Sequence, residues 1–432
     1  MLKIKKQKLI GIISFWLVLI ITFGGSYKTP IGNISVFHIN LAWGLFLILL
    51  SINVKKTQEK PNLSLYYFYL LLISLLLIPS ILNYSLYNIG DYSFIDLQFK
   101  RVIQILISFF LFPFIVIYAI KNLNQKEIFF TLLSFIIFIF ILSTIQLTNE
   151  NFKIWYINQT AIDGYWYEWA QTSNRAIGLK AISIWDTSIS YSLLTFIGFS
   201  IYFYNRKEIS SYWFYLFFSL IFLLVIISGR TGLLLLMLFM TFLSIRYKKY
   251  GFLILFITFI SMTSSILIYL LSSDMLTRIT SFAFELFLNL GSGNIETNST
   301  NDLLENHLFL PTINNIFFGD NIFIGDGDEV ISKIGRSSDS AFVINYVAYG
   351  VFGLIVTSLL SIINALIFFD YFQLYKKNIF YLGLLILCIL ISFALYTKIL
   401  VYVSPTLIKS MVLVKILIFF ITKISMEKKN EE

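Results

Sequence analysis

A single cysteine in 432 residues, Cys388, excludes an intrachain disulfide and a cysteine-ligated metal cluster. Two histidines, His38 and His307, exclude a multi-histidine metal site within one chain. Charge is scarce too: Asp, Glu, Lys and Arg make up 13% of the chain against 58% hydrophobic and 18% aromatic residues, and mean hydropathy is +0.82. That balance excludes an ordinary soluble domain, in which about a quarter of the residues are charged. The formal charge of +9 does not point to nucleic acid, because the basic residues lie between apolar runs and form no patch on a soluble face. The N-terminal run 9–23 follows four lysines but lacks a small-residue cleavage pattern in Thr22-Phe23-Gly24-Gly25-Ser26, so it reads as a retained first helix. No clear internal repeat of the kind common in secondary transporters is visible.

Apolar runs dominate what is present. They fall at 9–23, 36–54, 62–82, 102–120, 128–147, 181–204, 212–228, 231–245, 252–271, 345–369, 379–396 and 405–422. The sequence therefore predicts an all-α polytopic membrane protein, one integral membrane domain over 1–432 with about twelve transmembrane helices. An even number of spans places both termini on one side. The bias of basic residues makes that side cytoplasmic, with 19 Lys and Arg in the short loops against 11 in the much longer opposite ones. Two long loops, 148–180 and 272–338, are then extracytoplasmic.

Arg230 interrupts two apolar runs within Ser228-Gly229-Arg230-Thr231-Gly232. An arginine there must face protein, water, an anion or lipid headgroups. Ser228 or Thr231 at the start of the next helix would help build an anion site. Loop 148–180 carries Trp166, Tyr167 and Trp169, aromatics suited to an interfacial belt or to stacking on sugar rings. Loop 272–338 is polar, with a short amphipathic piece near 275–290 and with His307, Asp326, Asp328, Glu329, Lys333 and Arg336. Its Gly325-Asp326-Gly327-Asp328 reads as a turn in preference to a metal site, and no metal is expected. Asp339 suits a helix start, and Gly350 with Gly353 suits close helix packing. Asp186 and Lys415 are further intramembrane charges.

Ser173-Asn174-Arg175-Ala176-Ile177-Gly178-Leu179, Ser228-Gly229-Arg230-Thr231-Gly232, Asn314-Asn315-Ile316-Phe317-Phe318-Gly319 and Asp339-Ser340-Ala341-Phe342, followed by Gly350 and Gly353, together resemble the bacterial O-antigen and capsule repeat-unit polymerases (Wzy type), relatives of the O-antigen ligases. The resemblance covers roughly 160–370. It implies a GT-C-like glycosyltransferase in the bacterial cytoplasmic membrane, needing no cofactor. Its donor and acceptor would be glycans linked to undecaprenyl pyrophosphate, with a chain-length regulator and a flippase as pathway partners. Arg175 and Arg230, with Arg336 or Arg278, would bind pyrophosphate; Asp339, or else His307, would be the base; Trp166, Tyr167 and Trp169 would contact glycan. The ligase branch carries a His-Asn pair where this chain has Asp339-Ser340, which favours the polymerase branch. A lipid-linked oligosaccharide flippase, another secondary transporter and a ligase are the competing expectations.

Overall fold

The computed structural model describes residues 2–51, 61–90, 92–162, 164–173, 175–204, 209–246, 301–324, 337–372 and 380–431, with Ile254, Ile257, Thr258 and Ser261. In chain order the helices are α1 (Leu2–Phe23), α2 (Val36–Ser51), α3 (Ser64–Leu75), α4 (Leu77–Tyr87), α5 (Tyr92–Phe110), α6 (Phe112–Ile120), α7 (Gln125–Thr148), α8 (Glu150–Gln159), α9 (Gly164–Thr172), α10 (Trp185–Tyr204), α11 (Ser211–Ser228), α12 (Arg230–Arg246), α13 (Ala341–Phe372), α14 (Phe380–Lys398) and α15 (Pro405–Glu431). The described sheet is one hairpin, β1 (Ser26–Thr29) with β2 (Gly32–Ser35), paired antiparallel from Ser26 opposite Ser35.

Among the described residues six stretches are long and apolar enough to cross a membrane: Ser64–Tyr87, Tyr92–Ile120, Gln125–Thr148, Ser211–Ser228, Ala341–Phe372 and Pro405–Lys423. Gln7–Phe23, Val36–Leu49, Arg230–Ser244 and Leu382–Lys398 are shorter apolar helices. On α14, Leu382, Ile386, Leu390 and Phe393 are exposed at helical spacing. Such a stripe is stable against lipid and a liability in water. The protein is a largely helical membrane protein.

The elements differ from the apolar runs in instructive ways. Run 62–82 is two helices parted at Leu76, and run 102–120 belongs to two helices parted at Leu111. Pro79 and Pro113 lie just beyond these breaks, where each ring would clash with the carbonyl four residues earlier. Loop 148–180 holds two short helices, α8 and α9. Run 252–271 falls almost wholly outside the described residues. So do 275–290, Arg278, Asp326, Asp328, Glu329, Lys333 and Arg336.

The chain divides into two compact units. The first comprises Met1–Pro61, Phe110–Leu288 and Lys409–Glu432. Within it α1 packs on α2, α6 and α7, while α10 packs on α11 and α12. Asn124 and Glu127 form a reciprocal cap at the start of α7, with Glu127 N–H donating to Asn124 Oδ1 at 2.8 Å and Asn124 N–H to Glu127 Oε2 at 2.9 Å.

The second unit comprises Asn62–Phe109 and Asn289–Ile408. Here α13 packs against α3 and α14. Buried tyrosine hydroxyls meet in pairs, Tyr66 with Tyr371 at 3.0 Å and Tyr69 with Tyr396 at 2.7 Å. Burying each hydroxyl with a partner avoids the penalty of an unsatisfied polar group in an apolar interior.

Gly350 breaks α13, with φ 64° and ψ −151°, a backbone region essentially restricted to glycine. The break frees backbone groups on both sides, and the segment 316–321 occupies them. Asp320 N–H donates to Val347 O (2.7 Å) and Asn321 N–H to Ala348 O (3.2 Å). In return Val351 N–H donates to Ile316 O (2.8 Å) and Phe352 N–H to Phe317 O (3.2 Å). Gly350 thus serves a helix break closed by another segment of backbone, a more specific role than close helix packing.

Candidate functional site

In the first unit the segment after α9 is held in a defined shape. Gln146 on α7 grips Gly178 from both sides, its Oε1 accepting from Gly178 N–H (2.6 Å) and its Nε2 donating to Gly178 O (3.3 Å). Gly178 has φ +80° and needs its glycine. The Tyr27 and Tyr156 hydroxyls both donate to Leu179 O, at 2.7 and 2.8 Å. Ser183 N–H closes back onto Arg175 O at 2.8 Å. Arg175 is therefore presented on a fixed loop, its guanidinium carbon 5.4 Å from the Trp169 ring centroid.

Arg230 opens α12 after the one-residue break at Gly229. The expected cap from Ser228 is not made: among the described residues Ser228 Oγ is buried without a hydrogen-bond partner. Ser188 of α10 supplies one in its place, its Oγ accepting from Gly232 N–H at 3.2 Å. A side chain at Gly232 would strike the Ser188 backbone, so glycine permits this approach.

These arrangements bring Arg175 and Arg230 close enough to repel one another. The Arg175 guanidinium is held below its ordinary pKa first by burial and then by the Arg230 charge. Arg230 also lies at the positive end of α12, where a cation is disfavoured. In the same unit Lys180 Nζ reaches both Asp186 carboxylate oxygens, at 2.9 and 2.7 Å. Lys409, 3% exposed on α15, donates to the Ile21 carbonyl and faces Lys180 and Asp186. Lys180 and Lys409 thus both face the Asp186 carboxylate, while Arg175 lies near Arg230. Neighbouring guanidinium groups suit the binding of anionic oxygen.

The aromatic residues divide. Trp169 supports Arg175 and packs against Ile157, Ala170, Ala176 and Ala181. Tyr167 donates to Asn158 Oδ1 at 2.7 Å, and Trp166 is exposed.

The second unit holds His307 and Asp339. His307 ends a π-type turn, Leu303–His307, closed by Leu308 N–H on Leu303 O at 2.8 Å. Its Nδ1 accepts from Asp339 N–H (3.2 Å), and its Nε2 lies 3.3 Å from Asp302 Oδ2. The Asp339 donor leaves the ring proton on Nε2, facing Asp302. Ser338 Oγ donates to His307 O at 2.7 Å. His307 thus bonds to the backbone at Asp339, whose residue is exposed. Asp302 itself is held below the ordinary carboxylate value, first by the Asn306 amide (2.7 Å to Oδ1) and further by His307 and Lys398, against the opposing effect of burial. Asp302, Ser188, Lys180 and Lys409 were not singled out from the sequence as site residues. Ser188, Lys180 and Lys409 carry only the weak signal of polar residues in or beside apolar runs, and Asp302, inside a polar loop, carries none.

No protein-family model matches the chain, and no curated protein or solved structure is significantly similar to it.

Proposed function

We propose that the protein is a metal-independent membrane glycosyltransferase that joins polyprenyl-pyrophosphate-linked oligosaccharide repeat units into a polysaccharide such as O-antigen or capsule. The expected frame is about twelve spans with a GT-C-like fold and both termini in the cytoplasm of a bacterial cell. The observation that carries the reading is the pairing of Arg175 with Arg230, one on a clamped loop and one at a helix N-terminus.

Cleavage of a sugar–pyrophosphate bond leaves growing negative charge on a phosphate oxygen, and preorganised cations lower that barrier. Arg175 and Arg230 would hold the pyrophosphate, with the Lys180–Asp186 pair fixing the loop between them and α10. Trp169 would keep the Arg175 guanidinium plane in place while its edge binds the anion. Proton removal from the acceptor hydroxyl would fall to Asp339 or, as the runner-up, to His307, whose Nδ1 would first have to release the Asp339 N–H while Asp302 holds the Nε2 proton.

A transporter is the second reading, because the Gly350 break resembles the discontinuous helices that bind substrates in transporters. In this chain, however, residues 316–321 take up four backbone groups around the break. That occupancy favours a structural role for the break.

The test uses purified full-length protein in liposomes with a synthetic undecaprenyl-pyrophosphate repeat unit and resolves products by length. Wild type is expected to give a ladder. Arg230→Ala should lower turnover by about 10²–10³-fold, the loss typical of one transition-state donor, and Arg230→Lys should restore it only in part. A wild-type ladder from Arg230→Ala would remove the arginine from the mechanism, and no ladder from folded wild type would reject polymerisation.

A further inference from the structure

Ile316 and Phe317 belong to no helix or strand, yet their side chains are 58% and 72% exposed. Their backbone runs beside α13 just past its break, with Val351 N–H on Ile316 O (2.8 Å) and Phe352 N–H on Phe317 O (3.2 Å). On α13 itself Val351, Ile355, Leu359 and Ile362 are exposed at intervals of four, four and three residues, the stripe of a helix that faces hydrocarbon. The two loop residues thus lie beside the Val351 end of that stripe.

Irregular backbone can stand in a bilayer only if its polar groups are satisfied within the protein, because acyl chains offer no hydrogen bonds. Residues 315–319 come close to meeting that condition in full. All five carbonyls accept: Asn315 O from Gly319 N–H (2.7 Å), Ile316 O and Phe317 O from α13, and Phe318 O and Gly319 O from Asn83 Nδ2 (2.7 Å each). Four of the five N–H groups donate, Asn315 to Asp320 Oδ1, Phe317 and Phe318 to Asn315 Oδ1, and Gly319 to Asn315 O. A loop in water has no need of this and leaves part of its backbone to solvent. Depth follows from α13. Asp370 lies twenty residues beyond Gly350, a helical length of about 30 Å that matches one hydrocarbon core. With Asp370 at one headgroup layer, Gly350 and the adjoining 316–317 reach the opposite boundary of the acyl chains. The tyrosines agree: Tyr84 and Tyr87 follow Asn83, which holds Phe318 O, and both are exposed together with Tyr92, as at a membrane interface.

We propose, independently of the polymerase reading, that residues 315–319 form a wedge seated in the bilayer surface, with Ile316 and Phe317 among phospholipid acyl chains at that boundary. The test labels Phe317→Cys, in a Cys388→Ala background, with an environment-sensitive fluorophore on the full-length protein in phosphatidylcholine vesicles. Emission should lie to the blue of the same label at Glu305→Cys, on the exposed turn before His307. Nitroxides on the acyl chains should quench it more than aqueous iodide does. A nitroxide near the headgroup should outperform one at mid-chain, with the order reversed at Leu359→Cys. Because variants can misfold, wild-type protein is also irradiated in vesicles containing a diazirine-bearing phosphatidylcholine, and lipid adducts are expected at 316–317. Iodide quenching in place of nitroxide quenching would overturn the proposal and put the segment in water. Shielding from both quenchers, with no lipid adduct, would overturn it too and mean that protein covers the pair.

Discussion

Gly350→Ala tests how α13 and the segment 316–321 hold each other. An alanine in that backbone region costs about 1–3 kcal/mol. Its Cβ would lie 2.6 Å from Phe317 C and 2.7 Å from Gly319 N, and closer still to Ile316 O, so the segment must move away. Loss of two of the four cross-bonds adds about 0.5–1.5 kcal/mol each. The combined loss is about 2–6 kcal/mol, a large share of the 5–15 kcal/mol typical of folded proteins. Cys388, the sole thiol and 2% exposed on α14, is a built-in reporter for the same unit. A thiol-reactive fluorophore should detect its exposure at lower temperature or denaturant in the variant. Gly383→Ala is the control, since its added Cβ meets nothing within 4 Å and alanine favours a helix. Equal unfolding of Gly350→Ala and wild type would show that the helix can close over the break and that the cross-bonds contribute little.

The remaining predictions concern charge. Lys180→Met alone should destabilise the protein by about 3 kcal/mol because the buried Asp186 loses its lysine partner, while Lys180→Met with Asp186→Leu recovers much of the loss. Additive losses in a double-mutant cycle by denaturant unfolding would deny the coupling. Asp302 has its folded pKa depressed, so its stabilising contribution is present above the ordinary carboxylate value and lost as pH falls below about 4. Asp302→Asn should flatten the acid limb of the stability profile slightly, because the side chain is 56% exposed. An unchanged limb would remove Asp302 from the His307 pairing.

Much of the helical layout was legible because lipid-facing and interior positions of a membrane helix are both apolar, as along α7, whose Asn124 and Glu127 also announce its start. The divisions at Leu76 and Leu111 had their signal in Pro79 and Pro113, a backbone effect that hydropathy averages away. Arg175 and Arg230 could be named from local motifs. Their proximity is tertiary, since it depends on Gln146 gripping Gly178 and on Ser188 reaching Gly232. Asp302 was illegible for the same reason: nothing local distinguishes a carboxylate beside a histidine from a solvated charge.

The polarity of α10 bears on how the chain enters a bilayer. Ser188, Ser190, Ser192 and Thr195 are fully buried, and among the described residues the helix is not one of the six long and apolar enough to cross a membrane. Its hydroxyls bond to its own backbone, as Ser190 does to Asp186 O at 2.6 Å and Thr195 to Ser192 O at 2.6 Å, while α11 and α12 shield them from hydrocarbon. Released alone from the insertion machinery, α10 would meet acyl chains with Asp186 and those hydroxyls uncovered. Insertion of the three helices as a group would keep those groups covered, with Gly232 N–H donating to Ser188 Oγ once α12 lies against α10.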